Sequence, residues 1–300
     1  LFSLIKRHQL NCDPVQKGWV KASHCNVALD RQKRQLEQWA RVGVNLELLS
    51  AQDITSKSGA NGYVGGLLYS KGGSIQPLSL TREFARVCQQ KGVVLFENAA
   101  ALSLQETSSS INIRCNHGSV QAEKVLICTN GYTDKVWPGL EKTVVPVCSI
   151  QAATEPLPLK LRKAILPDGN TLSDMRRIIY YCRLDRDNRL CFGGVGPMRD
   201  NLLRKDFTSL LSGALTIFPD LREIRWEHFW GGKLGITTDT LPHIHELSPR
   251  VFAGLGFNGR GVALGVMMGR VLAEILLDRN RNELDLPITS PKNFPFYECR

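Results

Sequence analysis

The stretch that most constrains this chain is residues 250–277, RVFAGLGFNGRGVALGVMMGRVLAEILL: a short apolar strand, a glycine-rich turn and a long apolar helix. Gly254, Gly256, Gly259 and Gly261 crowd the turn. Glycines this close together let backbone N–H groups approach a ligand, and the helix N-terminus adds partial positive charge aimed at it. The occupant this predicts is an anionic or electron-accepting group. Gly254, Gly256 and Gly259 formally satisfy G-x-G-x-x-G, but the helix runs into DRNRNELDLPITSPKNFP, with no second strand ending in an acidic residue. The turn therefore does not open a nicotinamide-binding half-domain. Gly261, Gly265 and Gly269 also form a GxxxGxxxG series, yet Arg260, Arg270 and Glu274 interrupt the apolar run, which argues against a membrane span. The stripe Gly265, Gly269, Ala273 is instead expected to pack tightly against a sheet.

Three hundred residues with 43% hydrophobic content can bury a substantial core, as one large α/β unit or two interleaved domains. The net charge of +10 suits an anionic ligand or nucleic acid, but the basic residues are dispersed, as on a solvated surface. Nine cysteines (12, 25, 88, 115, 128, 148, 182, 191 and 299) form no C-x-x-C pair and no metal spacing. They read as reduced core thiols, and hence as a cytoplasmic or similarly reducing setting. His243 and His245 have no cysteine or carboxylate cluster to complete a site, so no metal is assigned. Nor is there a catalytic triad signature.

Along the chain, residues 11–23 predict a turn and a strand, and residues 31–42 an amphipathic helix with Leu36, Trp39 and Ala40 on one face. Residues 62–70 predict a strand in which Gly65 and Gly66 mark a bulge or close backbone contact. Pro77 opens a helix that Gly92 stops. Residues 93–96, 111–115 and 125–128 follow as short strands, the last ending in Thr129-Asn130-Gly131, where a plain turn and a ligand contact are equally good readings. Residues 144–153, 178–184, 190–195 and 225–230 predict a second, largely antiparallel sheet with a hairpin at 186–189, and residues 207–218 a helix ended by Pro219. Two domains thus alternate along the sequence.

At this point the sequence resembles the FAD-dependent D-amino-acid oxidase superfamily, within it the glycine/sarcosine oxidase and gamma-glutamylputrescine oxidase-like branch. The matching pieces are NCDPVQKGWVKA, GYVGGLLYSKGGSIQPLSL, GVVLFENAAALSL, KVLICTNGYT, PVCSIQAATEPL, RIIYYCRLDRDNRLCFGG, WGGKLGITTDTLPHI and GLGFNGRGVALG, in family order across nearly the whole chain. The resemblance implies a mixed α/β fold. An FAD-binding domain (71–142 and 234–286) is interleaved with an antiparallel substrate domain (1–70 and 143–233), followed by a tail at 287–300. Two departures stand out. The family's N-terminal dinucleotide-binding βαβ unit is absent, so the chain is expected to be a truncated form that on its own holds FAD poorly or not at all. His245 also replaces a usual glycine.

By the same resemblance Ala101 lies beside the adenosine, Thr129, Asn130 and Gly131 border the pyrophosphate or flavin, and Gly256, Phe257, Asn258, Gly259, Arg260, Gly261 and Val262 run along the isoalloxazine. Arg260 and Asn258 are the catalytic candidates. The expected chemistry is oxidation of the C–N bond of an amine or amino acid, by hydride transfer from the α-carbon to flavin N5, imine hydrolysis and reoxidation by oxygen. Such chemistry needs positioning more than acid–base groups. Arg183 is therefore the candidate anchor for a substrate carboxylate and Tyr180 or Tyr181 a cap, against the alternatives of a surface arginine and core tyrosines. Trp230 and Phe257 are cavity walls or, the better reading, core packing. The expected partner is a small amine or amino acid, with no membrane and no specific nucleic acid. Two other readings stay open: a non-catalytic relative acting by protein interaction, and the flavin domain of a tRNA-modifying enzyme, whose signature would be salt-dependent binding.

Overall fold

The computed structural model describes residues 1–294. Its first elements are α1 (Phe2–His8), β1 (Trp19–Ser23), α2 (Asn26–Arg41), β2 (Glu47–Ser50), α3 (Ala51–Ser58), β3 (Gly65–Tyr69) and α4 (Pro77–Gln90). The middle contains β4 (Ala101–Glu106), β5 (Ile111–Cys115), β6 (Gly118–Ala122), β7 (Val125–Ile127), β8 (Val145–Pro156), α5 (Leu159–Ala164), β9 (Thr171–Asp174), β10 (Tyr181–Leu184) and β11 (Arg189–Val195). Then come α6 (Thr208–Ile217), β12 (Trp226–Ile236), β13 (His243–Ser248), β14 (Val251–Leu255), α7 (Gly261–Leu276) and β15 (Ile288–Thr289). No helix among the described residues is long and apolar enough to cross a membrane.

The chain divides into two compact units. One comprises Phe2–Lys91 and Cys148–Gly232, the other Gly92–Val147 and the chain from Lys233 onward. The resemblance put residues 71–91 with the cofactor domain. In the structure α4 groups with the preceding residues, tied by Gln76 N–H to Cys12 O (2.8 Å) and Asn11 N–H to the Glu83 carboxylate (3.2 Å).

The unit built from Phe2–Lys91 and Cys148–Gly232 holds an eight-stranded sheet in the order β12-β8-β11-β10-β9-β1-β3-β2. It is antiparallel except where β1 runs parallel to β9. One continuous apolar cluster joins Val20, Ile150, Leu172, Leu190 and Phe192 on strands to Leu210, Ala214 and Ile217 on α6. Gly66 allows two strands to close up, since a Cβ there would lie 2.5 Å from Lys21 O. Asn188 takes a left-handed φ of 61° at the expected β10–β11 hairpin. Helix α2 begins five residues before the predicted start, at Asn26, and buries Ala28 and Gln32; Trp39, expected on its apolar face, is exposed.

The other unit holds a four-stranded sheet, β15-β13-β14-β7, and a three-stranded meander, β4-β5-β6. Period-two alternation along β14 serves two layers: Val251, Ala253 and Leu255 join Ile111, Ile127 and Leu140 in one cluster, while Phe252 joins Met268, Val271, Leu272 and Ile275 of α7 in the other. The predicted strand at 93–96 does not form, and its residues are exposed, Val94 at 72% and Phe96 at 69%. Apolar content marked it as a strand, but a strand needs a neighbour to satisfy its backbone, and none pairs with it among the described residues. Strands β4 and β6, half polar in sequence, were hidden by the same criterion.

Of the cysteines, Cys12, Cys148, Cys182 and Cys191 are buried as expected, but Cys88 and Cys128 are exposed. Cys299 lies outside the described residues.

Candidate functional site

Strand β14 and helix α7 are joined by the glycine turn that dominates the sequence. Gly256, Asn258 and Gly259 have φ of +82°, +51° and +79°. A side chain at Gly256 would place its Cβ 2.4 Å from Thr237 Cγ2, so both conformation and space require glycine there. Gly254 lets the strand seat against Leu272 and Met268 of α7.

Two asparagines hold the turn. Asn130, itself left-handed at φ +46°, follows β7 and accepts the Gly256 N–H at 2.9 Å. The Asn258 N–H donates to Gly235 O (3.1 Å), its side-chain oxygen accepts from Thr237 N–H (3.0 Å), and its amide donates to Thr237 Oγ1 and Gly256 O. Both side chains are thereby committed to backbone. Asn258, a catalytic candidate in the sequence, is placed as a positioning residue. Gly131 packs against the chain at Lys233, where a Cβ would meet the carbonyl at 2.7 Å. Gly235 and Thr237 thus belong to the turn's support, and no local pattern around them in the sequence disclosed it.

The helix beyond the turn is open at its start. Arg260 is the N-cap residue of α7 but supplies no side-chain cap, and its guanidinium instead donates to Thr240 O at 2.9 Å. Val262 is 48% exposed. The expectation that Gly265, Gly269 and Ala273 pack against a sheet is wrong: a Cβ on Gly265 or Gly269 would meet nothing within 4 Å, and Ala273 is exposed. The bulky residues Met268, Val271, Leu272 and Ile275 carry the packing, because they bury more apolar area, and the small stripe turns outward. An uncapped helix N-terminus behind a glycine turn, with room beside its glycine face, fits a flat electron-accepting group with an anionic edge. Phe257 packs against the α7 cluster, which is the core reading. Gly259 and Gly261 flank Asn258 and Arg260 in the same turn, while Ala101 on β4 and Thr129, bonded through Oγ1 to Thr133 Oγ1 at 2.9 Å, are exposed in the same unit.

The substrate candidates fall in the other unit. Tyr181 and Arg183 share one face of β10 and Tyr180 with Cys182 the opposite one. Tyr181 Oη pairs with Ser149 Oγ at 2.5 Å, and burial pushes its phenol pKa up. Among the described residues Arg183 donates only to Leu184 O, at 3.4 Å. Trp230 is 41% exposed on β12, which makes it neither core nor enclosed. Tyr180 stacks at a tilt on Phe192 (5.4 Å between centroids) and lines an open cavity of about 550 Å³ with Arg176. Behind Arg176 lies a buried polar knot absent from the sequence reading. The Asp174 carboxylate accepts from Tyr63 Oη (3.2 Å), Arg176 Nη1, and the N–H groups of Arg176 (3.2 Å) and Tyr180 (3.1 Å). Burial raises the Tyr63 phenol pKa, so it stays a donor. Tyr63 and Asp174 lie 111 residues apart, and no sequence spacing links them.

His245, where the family resemblance led us to expect glycine, is buried on β13 and stacked on His243 with centroids 5.5 Å apart. Its Nδ1 meets Thr289 O at 3.0 Å, and burial lowers its pKa. Among the described residues no group of three or more His, Cys, Asp or Glu could hold a metal ion.

Comparison with known proteins gives this geometry a family. The chain is 31% identical over 277 residues to the gamma-glutamylputrescine oxidoreductase of Escherichia coli, and 28% identical over 285 residues to the probable oxidoreductase OrdL of Haemophilus influenzae. In both cases 91% of this chain is covered, and the chain spans 64% of the relative's length. Its fold matches glycine oxidase from Geobacillus kaustophilus with a TM-score of 0.83 at 20% identity, over 98% of this chain and 79% of that one. L-proline dehydrogenase from P. horikoshii matches with a TM-score of 0.82 at 17% identity, over 95% and 78%. At those identities the likeness is one of fold. The model of the FAD dependent oxidoreductase family matches residues 1–275, and this chain therefore belongs to that FAD-dependent family.

Proposed function

We propose that this chain takes part in FAD-dependent oxidation of the C–N bond of an amine or amino acid. The observation that carries the proposal is the uncapped start of α7 behind a turn whose shape is fixed by Asn130 and Asn258. FAD, when bound, supplies the acceptor for the hydride that leaves the substrate's α-carbon. The protein's own part is to hold and orient. Gly256, Gly259 and Gly261 carry no side chain, so the backbone at those positions could border the ring. The N–H groups of the first turn of α7 would hold the ring's anionic edge, as oriented donors that stabilise developing negative charge. Arg260, adjacent and cationic, adds to that field. Thr129 and Gly131, beyond the carboxyl end of β7, are assigned to the pyrophosphate side and Ala101 to the adenosine side.

Substrate positioning is assigned to Tyr180, which lines a cavity, rather than to Tyr181 and Arg183 on the opposite face of β10, where the Tyr181 hydroxyl is paired with Ser149; the amine is neutral at the moment of transfer and the imine product is hydrolysed in water. Oxygen is the proposed final acceptor. The name of the Escherichia coli relative, 31% identical, supports an amine as the substrate class. The test is to titrate the purified chain with FAD and follow flavin fluorescence, then add amines and amino acids and measure hydrogen peroxide. Saturable quenching, at the weak affinity expected of residues 1–300 alone, that Gly256→Val abolishes, with amine-dependent peroxide, is the expected result. Flavin binding of equal strength in wild type and Gly256→Val would overturn the placement of the ring at the turn.

A further inference from the structure

We infer that the cavity beside Arg176 is a subsite for a carboxylate carried on an aliphatic stem, which makes Arg176, rather than the strand residue Arg183, the specificity-determining cation of this chain. As a statement about substrate the inference rests on the oxidoreductase reading above. As a statement about binding it stands on the cavity alone.

Arg176 is held before any ligand arrives. Its Nη1 is spent on Asp174, whose side chain is fully buried, and on Tyr63 Oη at 3.1 Å. Its guanidinium lies over the rings of Tyr63 and Tyr180, 5.2 and 5.8 Å from their centroids. Among the described residues nothing accepts from its Nε or Nη2. That edge is the fork that binds a carboxylate through two parallel N–H bonds, and a fork already immobilised loses little freedom on binding.

The rest of the lining offers no second cation. Asp206 is the other ionic residue there, and both its oxygens are engaged, by Arg199 and by the Leu203 N–H at 2.7 Å. The remaining wall includes Ile178, Val195, Pro197 and Leu210, which suit methylenes, and Ser209. A volume of about 550 Å³ lies within the usual span for small-molecule sites, roughly 300–1,000 Å³. It exceeds what a bare carboxylate needs, which leaves room for methylenes beside the acid. Arg183 by contrast lines no part of this cavity and leans on a neighbouring carbonyl.

The experiment is calorimetric titration of the whole chain, without flavin, with glutarate and with its neutral isostere glutaramide. Glutarate is expected to bind at least about tenfold more tightly than glutaramide, the loss expected when a charged acceptor is replaced by a neutral one. Arg176→Lys keeps the charge beside Asp174 but removes the fork, and is expected to weaken glutarate about tenfold or more. Ser209→Trp fills the cavity without touching the ion pair, so it tests the site even if Arg176→Lys folds poorly; it should abolish binding, whereas Arg225→Ala on the surface should not. Equal affinity for the two probes, no glutarate binding, or binding that survives Ser209→Trp would overturn the inference. So would a loss confined to Arg183→Ala. Because flavin is absent throughout, failure here leaves the FAD titration untouched, and failure there leaves this result standing.

Discussion

The two units solve the problem of burial differently. In the unit of Phe2–Lys91 and Cys148–Gly232, one continuous cluster runs under an eight-stranded sheet and α6, and Phe192, Phe207 and Phe218 are almost wholly enclosed. In the unit carrying the glycine turn, the core is split into two smaller clusters on either face of four strands. That unit also leaves Val94, Phe96 and Val262 exposed, together with the glycine face of α7. Both units leave large apolar side chains exposed, among them Ile178 and Met198 in the first and Val94 and Phe96 in the second, but the glycine turn and the uncapped helix lie in the second, and a ligand bound there would stabilise that unit by mass action. The unit proposed to hold the cofactor is accordingly the one whose stability a cofactor should raise.

This contrast can be broken by experiment. The largest expected effect is in the enclosed core: Phe192→Ala should cost about 3–5 kcal/mol, read as a shift in the chemical-denaturation midpoint, and added FAD should not restore it. Gly256→Val comes next. Forcing a β-branched residue to positive φ against Thr237 should cost about 2–4 kcal/mol of stability and eliminate FAD binding together. Asn130→Ala leaves the Gly256 N–H without its acceptor and should cost about 1–3 kcal/mol, partly recovered when FAD is present. Were FAD to recover Phe192→Ala equally well, the distinction between the units would fail.

A smaller effect is expected from pH. His245 has its pKa lowered below the ordinary value near 6.5 by burial, so the folded form is neutral where the unfolded form already takes up a proton. Its contribution is therefore fully present above about pH 6.5 and is lost as pH falls through the folded value. His245→Gln should flatten the acid side of the stability profile of the turn-bearing unit, followed by thermal melts across that range. Smallest of all, Phe96→Ser, on the uncovered surface, should alter stability by no more than about 0.5 kcal/mol while lowering the binding of an apolar dye.

What could be read in the sequence followed the same division. The glycine turn, Pro77 at the start of α4 and the β10–β11 hairpin are local signals, and each appears where its residues placed it. Residues 93–96 failed because apolar content says nothing about whether a neighbouring strand exists. The stripe at Gly265 and Gly269 failed because a small-residue face can meet either a close neighbour or open space, and periodicity is the same for both. The support of the turn by Gly235 and Thr237, and the knot of Tyr63, Asp174 and Arg176, join residues distant in the chain. Only the fold brings them together, so side chains at Tyr180, Tyr181 and Arg183 drew notice while Arg176 did not.

The central claim is that the start of α7 and the turn before it receive the flavin. Amide hydrogen exchange of the whole chain with and without saturating FAD tests it directly. The account predicts that FAD slows exchange across residues 254–264 and around Asn130, with little change in the strands around Phe192. Slowed exchange elsewhere with those segments unaltered would contradict it.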